Sequence, residues 1–177
     1  MRSGDASHDL VEELVAREAA RMLQFFVRRV NNPEDAADLV SETLLIAWRR
    51  HASIPTDKDE SRMWLYGVGR RVLSTHWRTR RRRGALNDRL RDNLAATSQW
   101  ANEGPDVDGI RDAITKLKPV DRELITLVYW DGFTLAEAAT LLKVKPATAR
   151  SRIARARAAL RKRLTGSPES ALAVAPA

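Results

Sequence analysis

Apolar residues recur at three- and four-residue intervals along almost all of this 177-residue chain, and no strict alternation flanked by hairpin signals interrupts them. That periodicity restricts the fold to packed helices. A first helix is expected from about Asp9 to Val30, with Val11, Val15, Met22, Phe26 and Val30 on one stripe. Asn32-Pro33-Glu34-Asp35 then reads as a helix start: an N-cap amide, a proline at the first helical position, and acids where the macrodipole favours them. This second helix should reach about Arg50 with Ala37, Val40, Leu44 and Ala47 facing the core. A loop is expected from His51 to Glu60, and a third helix from near Ser61, with Leu65, Val68 and Val72 inward, running into an arginine block.

From residue 84 to 109 the period weakens, and Asn87, Asn93, Asn102, Gly104 and Pro105 collect there. The stretch reads as a linker with room for a short helix around Leu86 to Leu94. The expected fold class is all-α: two small helical domains, residues 1–83 and 110–165, joined by a flexible linker, the second containing a helix-turn-helix. In that second domain Ile110, Ile114 and Leu117 suggest a helix ended by Pro119, and Val120, Leu124, Leu127 and Val128 one ended by Asp131-Gly132. Thr134-Leu135-Ala136-Glu137 is a capping box opening a short helix to about Leu142. Lys143 to Lys145 make a tight turn, and Pro146 begins a long helix with Ala149, Ile153, Ala156, Leu160 and Leu164 inward. The tail, 166–177, rich in Ala, Ser and Pro, is expected to be disordered.

Charge narrows the partners. The net +8 is unevenly placed: residues 1–60 and 84–142 each carry −4, whereas 61–83 and 143–177 each carry +8. Two separate anion-binding surfaces on mildly acidic scaffolds follow from that division. Zero cysteines exclude disulfide frameworks, thiolate metal sites and cysteine nucleophiles. His8, His51 and His76 are too scattered for a ligand set, so no metal is expected. The apolar runs, such as Leu44 to Trp48, fall far short of the roughly 20 residues that span a bilayer. With no signal-peptide core at the amino terminus, a cytoplasmic location is the expectation. No Gly-rich phosphate loop or nucleophile–base pair occurs, so neither enzyme activity nor a cofactor is expected.

Three constellations remain. Opposite the apolar stripe of the last helix lie Thr148, Arg150, Ser151, Arg152, Arg155 and Arg157, with Lys145 at its start. Behind a capped short helix and a tight turn, this is the pattern of a recognition helix for a DNA major groove; a solvated basic helix on a bundle is the bland alternative. On the third helix Trp64, Arg71 and Arg78 lie seven apart on one face with Gly67 and Thr75 between, flanked by Tyr66, Arg70 and Trp77 and extended by Arg80 to Arg83. Aromatic faces stack unpaired bases for roughly 1–3 kcal/mol each while arginines track phosphates, which suits opened DNA. Tryptophans buried beside a basic linker would give the same spacing. Finally, Asp35, Asp38 and Glu42 form an acidic row on the second helix, open to a cation, a basic protein surface or solvent alone; without further oxygen ligands the cation is discounted.

The run from Glu34 through Leu44 to Ala47-Trp48-Arg49 resembles the polymerase-binding helix of bacterial sigma factors of the extracytoplasmic-function (ECF) group. Trp64 to Leu73 with His76-Trp77-Arg78 resembles the helix of that family that opens and reads the minus-ten promoter element. Leu117-Lys118-Pro119 with Arg122-Glu123, then Thr134 to Ala139 and Thr148 to Ala156, is similar to its minus-thirty-five-reading domain. The resemblance implies that Asp35, Asp38, Leu39 and Glu42 meet core RNA polymerase. It implies that Trp64, Arg70, Arg71, Thr75, Trp77 and Arg78 meet minus-ten DNA, with the loop from Ile54 to Ser61 capturing a flipped base. It assigns Lys145, Thr148, Arg150, Ser151, Arg152 and Arg155 to minus-thirty-five DNA. Promoter DNA and core polymerase are the implied partners, and an anti-sigma factor is common in the group.

The chain departs from the family at Arg71 and Thr75, where Asn and Asp are frequent, and at Lys143 and Lys145, where Gly and Ser are frequent. Losing a glycine at a left-handed position costs roughly 1 kcal/mol, and losing a serine N-cap a similar amount. About 25 linker residues span at most roughly 80 Å, against on the order of 70 Å between promoter elements two DNA turns apart. A stand-alone helix-turn-helix regulator would explain residues 134–163 but not the aromatics of 61–83. An RNA-binding arginine motif at Arg78 to Arg83 would leave the second domain unexplained.

Overall fold

Side-chain caps set where three of the described helices begin. The structure, a computed structural model, describes residues 3–30, 32–87 and 105–165. Among these, α1 spans Ser3–Val27, α2 Pro33–Arg49 and α3 Lys58–Asn87, with a 3-10 turn at His51–Ser53. Then follow α4 Pro105–Thr115, α5 Pro119–Tyr129, α6 Leu135–Leu142 and α7 Pro146–Thr165. The fold is all-helical, and the chain divides into two compact units, Met1–Ala101 and Asn102–Ala177.

In the first unit Asn32 Oδ1 accepts the amide of Glu34 at 3.0 Å, and Pro33 follows at the first position of α2. Asp57 Oδ1 accepts the amides of Asp59 and Glu60, both at 2.9 Å, so α3 starts at Lys58 rather than near Ser61. It also continues to Asn87, and α4 begins at Pro105. Helix thus occupies both ends of the stretch expected as linker, and its residues advance only about 1.5 Å each. The short helix expected around Leu86 to Leu94 and the tail 166–177 lie wholly or largely outside the described residues.

The buried stripe of α2 is Ala36, Leu39, Thr43 and Ala47. Ala37 is exposed and Val40 and Leu44 are half-buried, so the expected stripe is rotated by one residue. The reason is Thr43: its hydroxyl donates to the Leu39 carbonyl at 2.7 Å, and once satisfied this polar residue enters the core. On α1, Val11, Leu14, Met22, Phe25 and Phe26 are buried while Val15 is only half so. Leu65, Val68 and Val72 face inward on α3 as their spacing implies. Tyr66 joins them, 1% exposed, its ring edge-on to Phe25 at 5.3 Å. Gly69 is where α1 and α3 approach closely: a Cβ there would meet Met22 Sδ at 3.2 Å and Phe26 Cζ at 3.3 Å.

Glu18 is the unexpected core residue, with 1% exposure. Arg17 Nε lies 3.2 Å from its Oε1, Arg21 Nη1 3.7 Å from the same oxygen, and Arg62 Nε 3.6 Å from Oε2. Arg17 reaches on to Ser61 Oγ at 3.2 Å. A buried carboxylate and its arginines therefore dock the first turns of α3 on α1.

The second unit is closed by α5, α6 and α7 around Leu124, Ile125, Leu127, Phe133, Ala138 and Ala149. Arg122 donates to the Thr115 and Leu117 carbonyls and so satisfies the C-terminal end of α4. The capping box of α6 is complete, with Glu137 Oε2 accepting the Thr134 amide at 2.7 Å and Thr134 Oγ1 accepting that of Glu137 at 3.3 Å. Lys143 ends α6 in the left-handed region at φ 54, ψ 40, where a Cβ is disfavoured.

Two stability outcomes follow. Glu18→Ala should cost about 3 kcal/mol in urea unfolding, because it leaves the Arg62 guanidinium without its carboxylate; a loss below about 1 kcal/mol would make the cluster peripheral. Lys143→Gly should raise the stability of the second unit by roughly 0.5–1 kcal/mol in the same measurement, and destabilisation would contradict the strain.

Candidate nucleic-acid interface

Three faces carry the residues singled out in the sequence. On α3, Arg71, Thr75 and Arg78 are exposed and Trp64, Arg70 and Trp77 half-buried. Heptad spacing puts Trp64, Arg71 and Arg78 in line, and a Cβ at Gly67 would meet nothing within 4 Å, so the face is open between Trp64 and Arg71. Thr75 Oγ1 donates to the Arg71 carbonyl at 3.1 Å and accepts from Arg78 Nη2 at 3.1 Å. Thr75 thereby steers one guanidinium along the helix. Trp77 stands edge-on to His76, with ring centroids 5.5 Å apart.

Two expectations here need correction. Tyr66, expected to flank this face, belongs to the core because α1 packs on that side of α3. The expected base-capturing loop from Ile54 to Ser61 keeps only part of its length. Ile54 is 6% exposed and Ser61 2%, the latter hydrogen-bonded by Arg17 and donating to the Lys58 carbonyl at 2.9 Å.

The acidic row of α2 faces the same helix. Asp35, Asp38, Leu39 and Glu42 form one wall of a cleft of about 450 Å³, and Thr75, His76, Thr79 and Arg80 form the other. Arg80 Nη1 is 3.2 Å from Asp35 Oδ2, and His76 Nε2 is 3.9 Å from the same oxygen. Asp38 and Glu42 are exposed. Leu39 is not available as an exposed contact: at 3% exposure it is a core residue that reaches only the cleft floor. It belongs to the buried stripe Ala36, Leu39, Thr43 and Ala47. Among the described residues, no group of three or more metal-ligating side chains is placed to hold a metal.

In the second unit Lys145, Arg150, Ser151 and Arg155 are exposed and Thr148 is half-buried. Ser151 Oγ donates to the Thr148 carbonyl at 3.0 Å, and Arg155 Nε to the Ser151 carbonyl at 3.2 Å. Arg152 differs. Its Nη1 donates to Asp121 Oδ1 at 2.9 Å, with the carboxylate side chain only 15% exposed, so it ties α7 to the first turn of α5. Expected opposite the inward stripe of Ala149, Ile153 and Ala156, it lies beside that stripe instead, paired with a partner 31 residues away. Arg152→Ala should cost about 1–2 kcal/mol of stability in urea unfolding, whereas Arg150→Ala should leave stability within about 0.5 kcal/mol. Equal losses would remove the distinction.

Comparison with known proteins bears on both units. Residues 11–83 match the family model described as Sigma-70 region 2, and residues 108–160 that described as Sigma-70, region 4. The ECF RNA polymerase sigma factor SigL of Mycobacterium tuberculosis is 30% identical over 154 residues, 86% of this chain and 87% of the relative. SigF of Caulobacter vibrioides, also described as an ECF sigma factor, is 28% identical over 93% of this chain and 90% of its own. Among solved structures, sigma factor RpoE from Bartonella quintana, complexed with the anti-sigma factor NepR, has a similar fold, with a TM-score of 0.69 at 24% identity, covering 88% of this chain and 97% of that one. CnrH, in complex with the cytosolic domain of CnrY, reaches 0.62 at 25% identity over 89% and 88%.

Proposed function

This chain belongs to the ECF group of RNA polymerase sigma factors, and on that premise we propose that its three faces divide the work of initiation. It binds core RNA polymerase, recognises promoter DNA and promotes strand opening. The exposed carboxylates Asp38 and Glu42, with Asp35 beside them, meet a basic surface of the polymerase, and Leu39 supports them from beneath. Trp64, Arg70, Arg71, Trp77 and Arg78, with Thr75 as the residue that aims Arg78, hold the minus-ten strand. Lys145, Arg150, Ser151 and Arg155 contact minus-thirty-five DNA, Thr148 sits at the edge of that surface, and Arg152 positions the helix that presents them.

The observation that supports this division best is the open arginine and tryptophan face of α3. A duplex-binding unit has no use for half-exposed aromatics in line with arginines, whereas separated strands offer bases to stack and phosphates to pair. Sigma factors are regulatory, non-enzymatic proteins as a family, and we infer that this chain has no active site of its own: bond-making belongs to the polymerase. No described helix is long and apolar enough to cross a membrane. A cytoplasmic site of action and regulation by an anti-sigma factor fit the same reading.

The test is reconstitution. Mixed with bacterial core polymerase, the protein should co-migrate on a native gel and direct transcripts from one promoter class. Trp64→Ala and Arg71→Ala should leave duplex binding within twofold and reduce open complexes, scored by permanganate reactivity, by tenfold or more, as loss of about 1.4 kcal/mol or greater at one stacked base requires. Failure to bind core polymerase would refute the proposal.

A further inference from the structure

The cleft between α2 and α3 brings together two surfaces that serve different partners. Arg80 belongs to the arginine block of α3, and Asp35 opens the acidic row of α2, yet their side chains are paired at 3.2 Å. Arg80 is 48% and Asp35 30% exposed, so each is reachable from solvent while holding the other. On the Asp35 side the remaining carboxylates of the cleft are Asp38 and Glu42, and on the Arg80 side lies the His76 ring, whose Nε2 is 3.9 Å from the same Asp35 oxygen. Arginines at 78, 81 and 82 are exposed in the same turns of α3.

We propose that Asp35 and Arg80 form a latch in which Arg80 is a further DNA-binding residue, withheld from phosphate until Asp35 finds a basic partner. The inference rests on the reading of α2 as a protein-binding face and α3 as a DNA-binding face. A guanidinium donates to one carboxylate or to one phosphate in a given geometry, so a basic partner competes with Arg80 for Asp35, and a phosphate competes with Asp35 for Arg80. A basic side chain that takes Asp35 releases Arg80 toward DNA. By linkage, a phosphate that takes Arg80 releases Asp35 toward the basic partner, and the two couplings are equal. The size of the effect is bounded by what a partly exposed ion pair sustains, about two- to fivefold in affinity. Such a latch biases the order of assembly without blocking either event.

The latch is testable without polymerase, on the free 177-residue chain. Binding of a fluorescently labelled oligothymidine strand is followed by anisotropy across a range of salt concentrations. Asp35→Asn should tighten binding about two- to fivefold and steepen the dependence on log salt, by up to about 0.7 for one phosphate gained. Glu34→Gln, which removes the same charge from the neighbouring exposed position, should tighten it by much less. In an Arg80→Ala background, Asp35→Asn should have no more effect than Glu34→Gln. Circular dichroism melts confirm that the variants are folded, and if Asp35→Asn is not, Arg80→Lys serves as the second probe: a lysine that pairs more weakly with Asp35 should itself tighten binding, and unchanged or weaker binding would overturn the latch. Equal shifts from Asp35→Asn and Glu34→Gln, or a shift that persists without Arg80, would overturn the latch. Neither outcome touches the initiation role, which stands or falls on reconstitution with core polymerase.

Discussion

A buried carboxylate on α1 governs the geometry of the first unit. Glu18 is withdrawn from water and compensated by Arg17, Arg21 and Arg62, the last of which comes from α3. An uncompensated buried charge is far costlier than a lost surface ion pair. The cluster therefore specifies which face of α3 turns toward α1, and Gly69 lets the two helices close to contact distance beside it. With one side of α3 committed to α1 and another to α2, the outward side that remains is the one bearing Trp64, Arg71 and Arg78.

The same comparison of magnitudes separates the other ion pairs. Arg152 and Asp121 are sheltered enough to act as a tie between α7 and α5. Arg80 and Asp35 are open enough to exchange partners. Two arginines from blocks of equal net charge thus serve opposite purposes, one holding a recognition helix in place and the other standing ready to leave. Net charge alone does not distinguish them; the exposure of the carboxylate that each one meets does.

Much of the fold was legible because it depends on neighbours in the chain. Asn32 and Pro33 start α2, and Thr134 with Glu137 starts α6, through contacts two or three residues long. The tight turn between α6 and Pro146 is local too, with Lys143 in the left-handed region at its start. The start of α3 is less legible, because Asp57 sits among other acids and composition does not single out which of them caps. The stripe of α2 is not legible in the same way, because a threonine satisfied by its own helix counts as apolar in a core, which a hydrophobicity pattern does not record.

The functional residues divide along the same line. The sequence by itself determined that the chain is helical, that it carries two basic surfaces and one acidic row, and which helices bear them, since spacing along a helix fixes which residues share a face. Only the tertiary structure decided which of those residues are free. Tyr66 meets Phe25, Leu39 lies on the buried stripe of α2, Ser61 meets Arg17, Arg152 meets Asp121, and Arg80 meets Asp35. Apart from Leu39, which its own helix's stripe turns inward, each of these depends on a partner tens of residues away. Local periodicity is set by backbone geometry within one turn, whereas the identity of a partner across the fold is set by how whole helices pack.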